Sequence, residues 1–498
     1  MGLIFRSMAV SLGAALIAVF FASILALATF GRRSTASRWQ AGLASSFLLL
    51  PSYVVAGAWS AGFGVMGWWT LSQVTAAKAP LVGVASVIWI HAMATVPIAY
   101  WILIIGLRRV PMTAHQLARM EGGMSSQFRH GIWPTWSVWV LGVLLMVAAW
   151  VSCDMVVTNL FQVSTLVEQC YLDMIADQVT WKNVFTSSAM SLVLGSVGMA
   201  LIGRAWTRET RLCPSGGNNT APVGPDRFAA IAGWLVVMMV VVVPIANLVI
   251  KAGWVATQRG DERIERSWSL ASLLRNFANA PFGFLDEFGW SLSLAGWSAS
   301  LACLLAAIIT FSLFPNPIHR LEGCFQWLRA IAFGVCLAAF ALPGPLVSAL
   351  VTHFFQLPVG GLRWIEDHTL ASPILCLQFR LVPLAMLTFG VFQHQWRQQV
   401  GDLWRMDLDK SWRARFRIIW LAYAQPTSLL WIVLVAISFG DLSSYLSCLP
   451  PGVTPVSMRI FDLLHYGVRA SEAGLLLFLI VLGAGIGWRV SRANFESV

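Results

Sequence analysis

Charged residues are scarce in this sequence. Of its 498 residues only 11% are Asp, Glu, Lys or Arg, while 58% are hydrophobic and the mean hydropathy is +0.72. A soluble domain carries about a quarter charged residues, so a solvated globular fold is excluded. The eight cysteines contain no Cys-x-x-Cys pair, which argues against a zinc site or a disulfide framework. Cys303, Cys336 and Cys376 lie in apolar runs, where a thiol behaves as a small hydrophobe. No Ser-His-Asp, His-Glu-x-x-His or paired acid/base constellation is visible and the histidines do not cluster, so catalysis is disfavoured and no cofactor is expected. His91 reads as a satisfied core residue. The net charge of +11 has no soluble basic domain to carry it, so nucleic acid is not an expected partner. In a membrane protein such an excess belongs to basic cytoplasmic loops.

Long apolar segments fill what is left. A membrane-crossing helix takes about 20 apolar residues. On that rule about eleven spans are expected, near 8–30, 41–66, 83–107, 133–157, 188–206, 228–250, 289–314, 328–353, 372–393, 417–440 and 470–488. The fold class is an all-α polytopic membrane protein. The first apolar run exceeds a typical signal-peptide core and has no clear cleavage site, so it reads as the first span. If the connectors from Arg108 and Arg397 are cytoplasmic, alternation puts the N-terminus outside and the C-terminus inside. The basic clusters Arg32-Arg33, Arg204–Arg227 and Arg405–Arg417 then all fall inside, as basic loops do.

Landmarks recur along the chain. Leu50-Pro51, Val96-Pro97, Trp133-Pro134 and Asp154 are followed, 286 to 292 positions on, by Leu342-Pro343, Val382-Pro383, Trp420-Leu421 and Asp441. Two parallel five-helix repeats are expected, joined by the 228–250 span, which keeps both in one orientation. The expected divisions are a first transmembrane half at 1–210, a linker, extra span and outer loop at 211–288, and a second transmembrane half at 289–498.

Two polar connectors sit at equivalent points of these halves. The stronger is DLWRMDLDKSWRARFRIIWLAYAQP, 402–426, and the weaker QLARMEGGMSSQFRHGIWP, 116–134. The charges of the former are too dense for the bilayer, while Leu403, Met406 and Trp412 recur at roughly helical spacing. A short amphipathic helix on the cytoplasmic surface is expected, either held by anionic lipid or docking a partner.

The connectors resemble the EAA loops of binding-protein-dependent ABC importer permeases, E-A-A-x-x-x-G followed by x9-I-x-L-P. Asp402 falls at the glutamate, Leu403 and Trp404 at the alanines, Leu408 at the glycine, Ile418 at the isoleucine and Leu421 at the proline. Gln116, Leu117, Ala118, Gly122 and Pro134 match with a loop one residue shorter. LPPGVTPVSMRIFDLLHYG, 449–467, and DMVVTNLFQVSTLVEQCY, 154–171, are similar to segments of the fused two-half permeases of the ferric-iron and thiamine branch. The resemblance implies a bacterial inner-membrane permease without ATPase activity of its own, since no G-x-x-x-x-G-K-[ST] loop occurs. It implies a cytoplasmic ATP-binding subunit dimer on the connectors, with Arg413 and Arg415 among the contacts, an extracytoplasmic solute-binding protein, and ferric iron as cargo. An ion-coupled secondary transporter is the alternative, and a membrane-embedded enzyme the third reading.

Charges inside apolar helices are costly and face a bundle interior or water. Asp154 and Asp441, each about 20 residues into its segment, are expected near the outer ends, either as helix-end caps or lining the translocation path. Arg380 is expected in a salt bridge to a neighbouring span. The equivalent first-half position is Ala94, so Arg380 reads as an unrepeated element.

Overall fold

A computed structural model describes residues 2–30, 34–72, 79–110, 120, 122–123, 126–176, 181–212, 227–259, 263–313, 334–335, 338–406 and 412–496. Two compact units form, Met1–Leu285 with Met458–Val498, and Asp286–Ser457. The first unit opens with α1 Leu3–Thr29, α2 Thr35–Ser46, α3 Ser52–Phe63, α4 Trp68–Ser72 and α5 Gly83–Arg108. A π-helical turn, Gln127–Ile132, runs directly into α6 Trp133–Cys153. Then come α7 Val156–Leu160, α8 Leu166–Ile175, α9 Trp181–Leu212, and α10 Arg227–Val237 with α11 Val243–Ala252. A hairpin of β1 Trp254–Arg259 and β2 Arg263–Trp268 precedes α12 Leu270–Gly283. After α13 Leu285–Leu313, the second unit holds α14 Gly344–Phe355, α15 Leu362–His368, α16 Ala371–Met406 and α17 Trp412–Gly440. The chain ends with α18 Val456–His465 and α19 Ala470–Glu496, and α19 packs in the first unit against α2, α3, α11 and α12.

Among the described residues eight helices are long and apolar enough to cross a membrane, and two shorter apolar helices accompany them. The protein is membrane-embedded and almost entirely helical. The finer expectations need correction at particular places. The apolar run 41–66 is not one span but two 12-residue helices, α2 and α3, separated at Phe47–Pro51. Pro51 fixes φ near −60° and has no N–H to continue a helix from before it, so the chain restarts there. Pro343 restarts α14 in the same way. The connector 402–426 is not a separate surface helix. Its first part is the end of the 36-residue α16, its last part is the start of α17, and 407–411 lie outside the described residues. The segment between α11 and α12 contains a strand pair, with Trp254 opposite Trp268, which no apolar-run reading anticipates.

Small residues set how closely the first unit packs. Ala14, Ala18, Ala22 and Ala26 recur every fourth residue on α1 and are fully buried where it packs along α5 and α6. Water-free helix association depends on such close approach, because lipid is as apolar as the helices themselves. One close crossing is α6 on α9. A Cβ on Gly198 would sit 2.8 Å from the Gly142 carbonyl oxygen, and one on Gly142 would sit 3.1 Å from that of Gly198. Backbone meets backbone there, so neither side can yield by rotating a side chain. Gly198→Ala should therefore lower stability by about 2 kcal/mol, read as a reduced thermal midpoint in detergent. Gly296→Ala, in open space on α13, should leave it unchanged or slightly raised. Equal midpoints for the two variants would contradict this crossing.

Candidate functional site: two carboxylate centres

In the first unit, Asp154 ends α6, where its own N–H still bonds the Val151 carbonyl at 3.3 Å. Its side chain does three things. Oδ1 accepts from Val156 N–H at 2.8 Å, which starts α7. Oδ2 accepts from the Ser52 hydroxyl at 2.7 Å, in the first turn of α3 just after Pro51. The same oxygen lies 3.8 Å from Nδ1 of His91 on α5. His91 is only 1% exposed, and its Nε2 is buried without a hydrogen-bond partner. The centre thus joins a proline-started helix, a mid-span imidazole and the α6–α7 junction. Placing the carboxylate at the α3 N-terminus also sets negative charge against the positive helix end.

In the second unit, Asp441 follows α17 and its N–H bonds the Ile437 carbonyl at 3.1 Å. Oδ1 accepts from the Ser443 hydroxyl at 3.1 Å and Ser444 N–H at 3.2 Å, and Oδ2 accepts from the Ser444 hydroxyl at 2.6 Å. Arg380 Nε lies 3.7 Å from Oδ2, giving the neighbouring-helix ion pair expected for this arginine. Its two terminal nitrogens donate to the Phe340 and Leu342 carbonyls at 2.9 and 3.1 Å, immediately before Pro343. A proline-started helix cannot use those carbonyls as an uninterrupted helix would, and the guanidinium fork satisfies both. Arg380 is 7% exposed, so its charge depends on Asp441 and these carbonyls rather than on water.

The residue after the proline differs between the units, and the difference has a compensation. In the first unit it is Ser52, which bonds Asp154 directly. In the second it is Gly344, where an added Cβ would collide with Ser443. The space left by the missing side chain is filled by Ser443, which supplies the hydroxyl to Asp441 from the carboxylate's own loop. A second pairing accompanies each centre. The Ser7 hydroxyl on α1 accepts from Leu166 N–H, the first residue of α8, at 2.8 Å. The Ser291 hydroxyl on α13 accepts from Val456 N–H, the first residue of α18, also at 2.8 Å. Both satisfy an N-terminal helix donor that has no partner within its own helix.

Of the residues singled out from sequence, the structure brings Arg380 and Asp441 together and puts Asp154 in the other unit. The position opposite Asp154 is occupied by His91, three residues before Ala94 and hence about one turn earlier on α5. His91 is also not the satisfied core residue expected, since Nε2 is unpartnered. Ser52, Ser443 and Ser444 carried no sequence signal beyond their position beside landmark residues, and Ser7 and Ser291 carried none. In the connectors, Gln116, Leu117, Ala118 and Leu408 lie outside the described residues. Gly122 is helical and exposed, and Pro134 occupies the first turn of α6. Asp402, Leu403 and Trp404 are on α16, and Arg413, Arg415 and Leu421 on α17.

Comparison with family models, curated proteins and solved structures finds no match. What the site can do is therefore argued from its geometry. Each centre holds a carboxylate in place by hydroxyl and backbone donors and ties a helix restart to a helix end. Among the described residues no three His, Cys, Asp or Glu side chains converge as a metal ion would require.

The two centres should respond differently to the same change. Asp441→Asn leaves the permanently charged Arg380 buried without a counter-charge, at a cost of about 3 kcal/mol. Asp154→Asn keeps an oxygen for Ser52 and faces an imidazole that can be neutral, so about 1 kcal/mol should be lost. Thermal unfolding in detergent reads both. Equal losses, or a larger loss at Asp154, would contradict the ion-pair assignment. Adding Arg380→Met to Asp441→Asn should restore part of the loss.

Proposed function

We propose that this chain is the membrane-spanning permease subunit of an ATP-driven importer, built from two parallel repeats and coupled to a separate ATP-binding subunit dimer. The observation that carries the reading is the common build of the two carboxylate centres. In each, the chain order is a serine on the leading helix, a proline helix restart, a cationic or imidazole residue on a proline-containing helix, and an aspartate at the end of the next helix. The serine then accepts from the first N–H of a helix beyond that aspartate, α8 in one unit and α18 in the other. A duplicated permease half accounts for that order, with 228–250 as the linking span. His91 and Arg380 are the equivalent partners, displaced by one turn.

The path from connector to centre runs along one helix in the second repeat. Asp402 and Arg380 lie on the same uninterrupted helix, α16, and their separation is about 33 Å at 1.5 Å per residue. A movement imposed on the Asp402–Leu421 connector by nucleotide-driven closure of the ATP-binding dimer reaches Asp441 through one element. On this reading Gln116, Leu117, Ala118, Gly122 and Pro134 form the other docking segment, and Asp154, Asp441 and Arg380 line or gate the path. Transport needs no chemistry from this chain, only two discrete packings that the partner biases. The setting is a bacterial cytoplasmic membrane, N-terminus outside and C-terminus inside, with an extracytoplasmic solute-binding protein delivering cargo. Ferric iron is the cargo that the resemblance names. The carboxylates are engaged by internal donors, which favours a gating role over direct ligation of the metal.

An ion-coupled secondary transporter is the second reading. The observation favouring it is the His91–Asp154 pair with its open Nε2, a group able to carry a proton.

Charge reversal by Arg413→Glu with Arg415→Glu should separate ATP hydrolysis from uptake while the protein still inserts and melts normally. Uptake should fall at least about tenfold, the equivalent of about 1.4 kcal/mol of lost coupling. Unchanged coupling would remove the docking role. Asp154→Asn combined with Asp441→Asn should depress uptake similarly, and normal uptake by that variant would reduce the two residues to helix-end caps.

A further inference from the structure

Within the unit Asp286–Ser457, two thiols far apart in the chain meet. Cys376, in the second turn of α16, lies with its Sγ 3.6 Å from that of Cys448, the last residue of the 3-10 turn Leu446–Cys448. Both side chains are buried. The Cys448 thiol donates to the Ser348 carbonyl at 3.2 Å and is 3.1 Å from the Thr352 hydroxyl, so two residues of α14 fix its position against that helix. The gap to bonding distance, about 1.6 Å, is smaller than the arc a thiol sweeps on turning about its Cα–Cβ bond. The Cys376 hydrogen bond holds the Cys448 thiol down to about 7 against the opposing effect of burial, with Thr352 and Ser372 assisting. The thiolate is the attacking species in exchange, and the S–H of Cys376 beside it favours that form at Cys448.

The location gives the pair a consequence. Cys376 and Arg380 are four residues apart on one face of α16, while Asp441 and Cys448 bracket a single loop. The thiol contact and the ion pair are two successive rungs between the same helix and the same loop.

We propose that Cys376 and Cys448 are a dithiol–disulfide site, oxidised by exchange with a small aliphatic disulfide to an intramolecular bond that ties the Asp441 loop to α16. The Cys448 thiolate attacks one sulfur of the external disulfide, forming a mixed disulfide and releasing one thiolate, which takes up a proton. Cys376 then loses its proton and attacks the Cys448 sulfur, forming the internal bond and releasing the second thiol. The protein pair gives up two electrons and two protons, and the external disulfide becomes two thiols. A small molecule is the reagent that suits two thiols so buried. The proposal does not depend on what the protein transports.

The test treats the full-length protein in detergent with oxidised glutathione, quenches with acid, then alkylates under denaturing conditions and maps the peptides. The expected result is two fewer alkylatable thiols than in the reduced protein, one Cys376–Cys448 linked peptide, and full reversal by dithiothreitol. Cys376→Ala and Cys448→Ala should each abolish the linked peptide. The wild-type map stands even if either variant fails to fold. Full alkylation after glutathione, a stable glutathione adduct on Cys448 alone, or thiol loss confined to other cysteines would each overturn the proposal.

Discussion

A buried guanidinium has no neutral form available to it, and Arg380 accordingly dictates its surroundings. It requires the Asp441 carboxylate beside it and two carbonyl acceptors in front of it, those of Phe340 and Leu342 just ahead of the Pro343 helix restart. Asp441 in turn requires three donors, which the Ser443-Ser444 loop supplies. That loop can approach only because residue 344 has no side chain. One permanent charge thereby fixes a helix restart, a helix end and a glycine. The Asp154 centre meets the same demand with a softer partner, an imidazole, and a serine placed directly on the restarted helix.

The landmarks that mark these centres were readable from the chain: the two Leu-Pro steps, the two Val-Pro steps and the two aspartates. Proline and intramembrane carboxylate are residues with few places to go, so their recurrence carries information. The partners were harder to see. His91 stands one turn away from the position opposite Arg380, and a strict residue-by-residue offset passes over it, although one helical turn keeps the same face. The capping serines were invisible because serine is tolerated almost anywhere in an apolar helix and reveals its use only when a distant helix end is in view. Apolar-run counting also joined α2 to α3 across Pro51, since leucines 48 to 50 look alike whether helical or not. It ended α16 where hydropathy falls, yet the backbone continues in helix to Met406, because a helix leaving the bilayer needs no apolar residues to keep its hydrogen bonds.

Two scales of order emerge. At the scale of helix packing, alanine and glycine seams let α1, α6 and α9 approach closely without a hydrophobic driving force, and these contacts make a permanent scaffold. At the scale of the centres, polar groups connect helix ends that packing alone would leave free to shift. A transporter needs both: a rigid body to move, and a few strong polar ties where its two arrangements differ. Arg380 near the start of α16 and the connector residues at its far end share one helix, which is what the proposed coupling relies on.

The central claim is that this chain moves its cargo by ATP hydrolysis in a partner. The most direct measurement is uptake of radiolabelled ferric iron by proteoliposomes holding the chain with its ATP-binding subunits and presented with an iron-loaded binding protein. The account predicts uptake that requires internal ATP and persists when ionophores collapse all ion gradients. Uptake by the chain alone, driven by a proton or sodium gradient and indifferent to ATP, would contradict it.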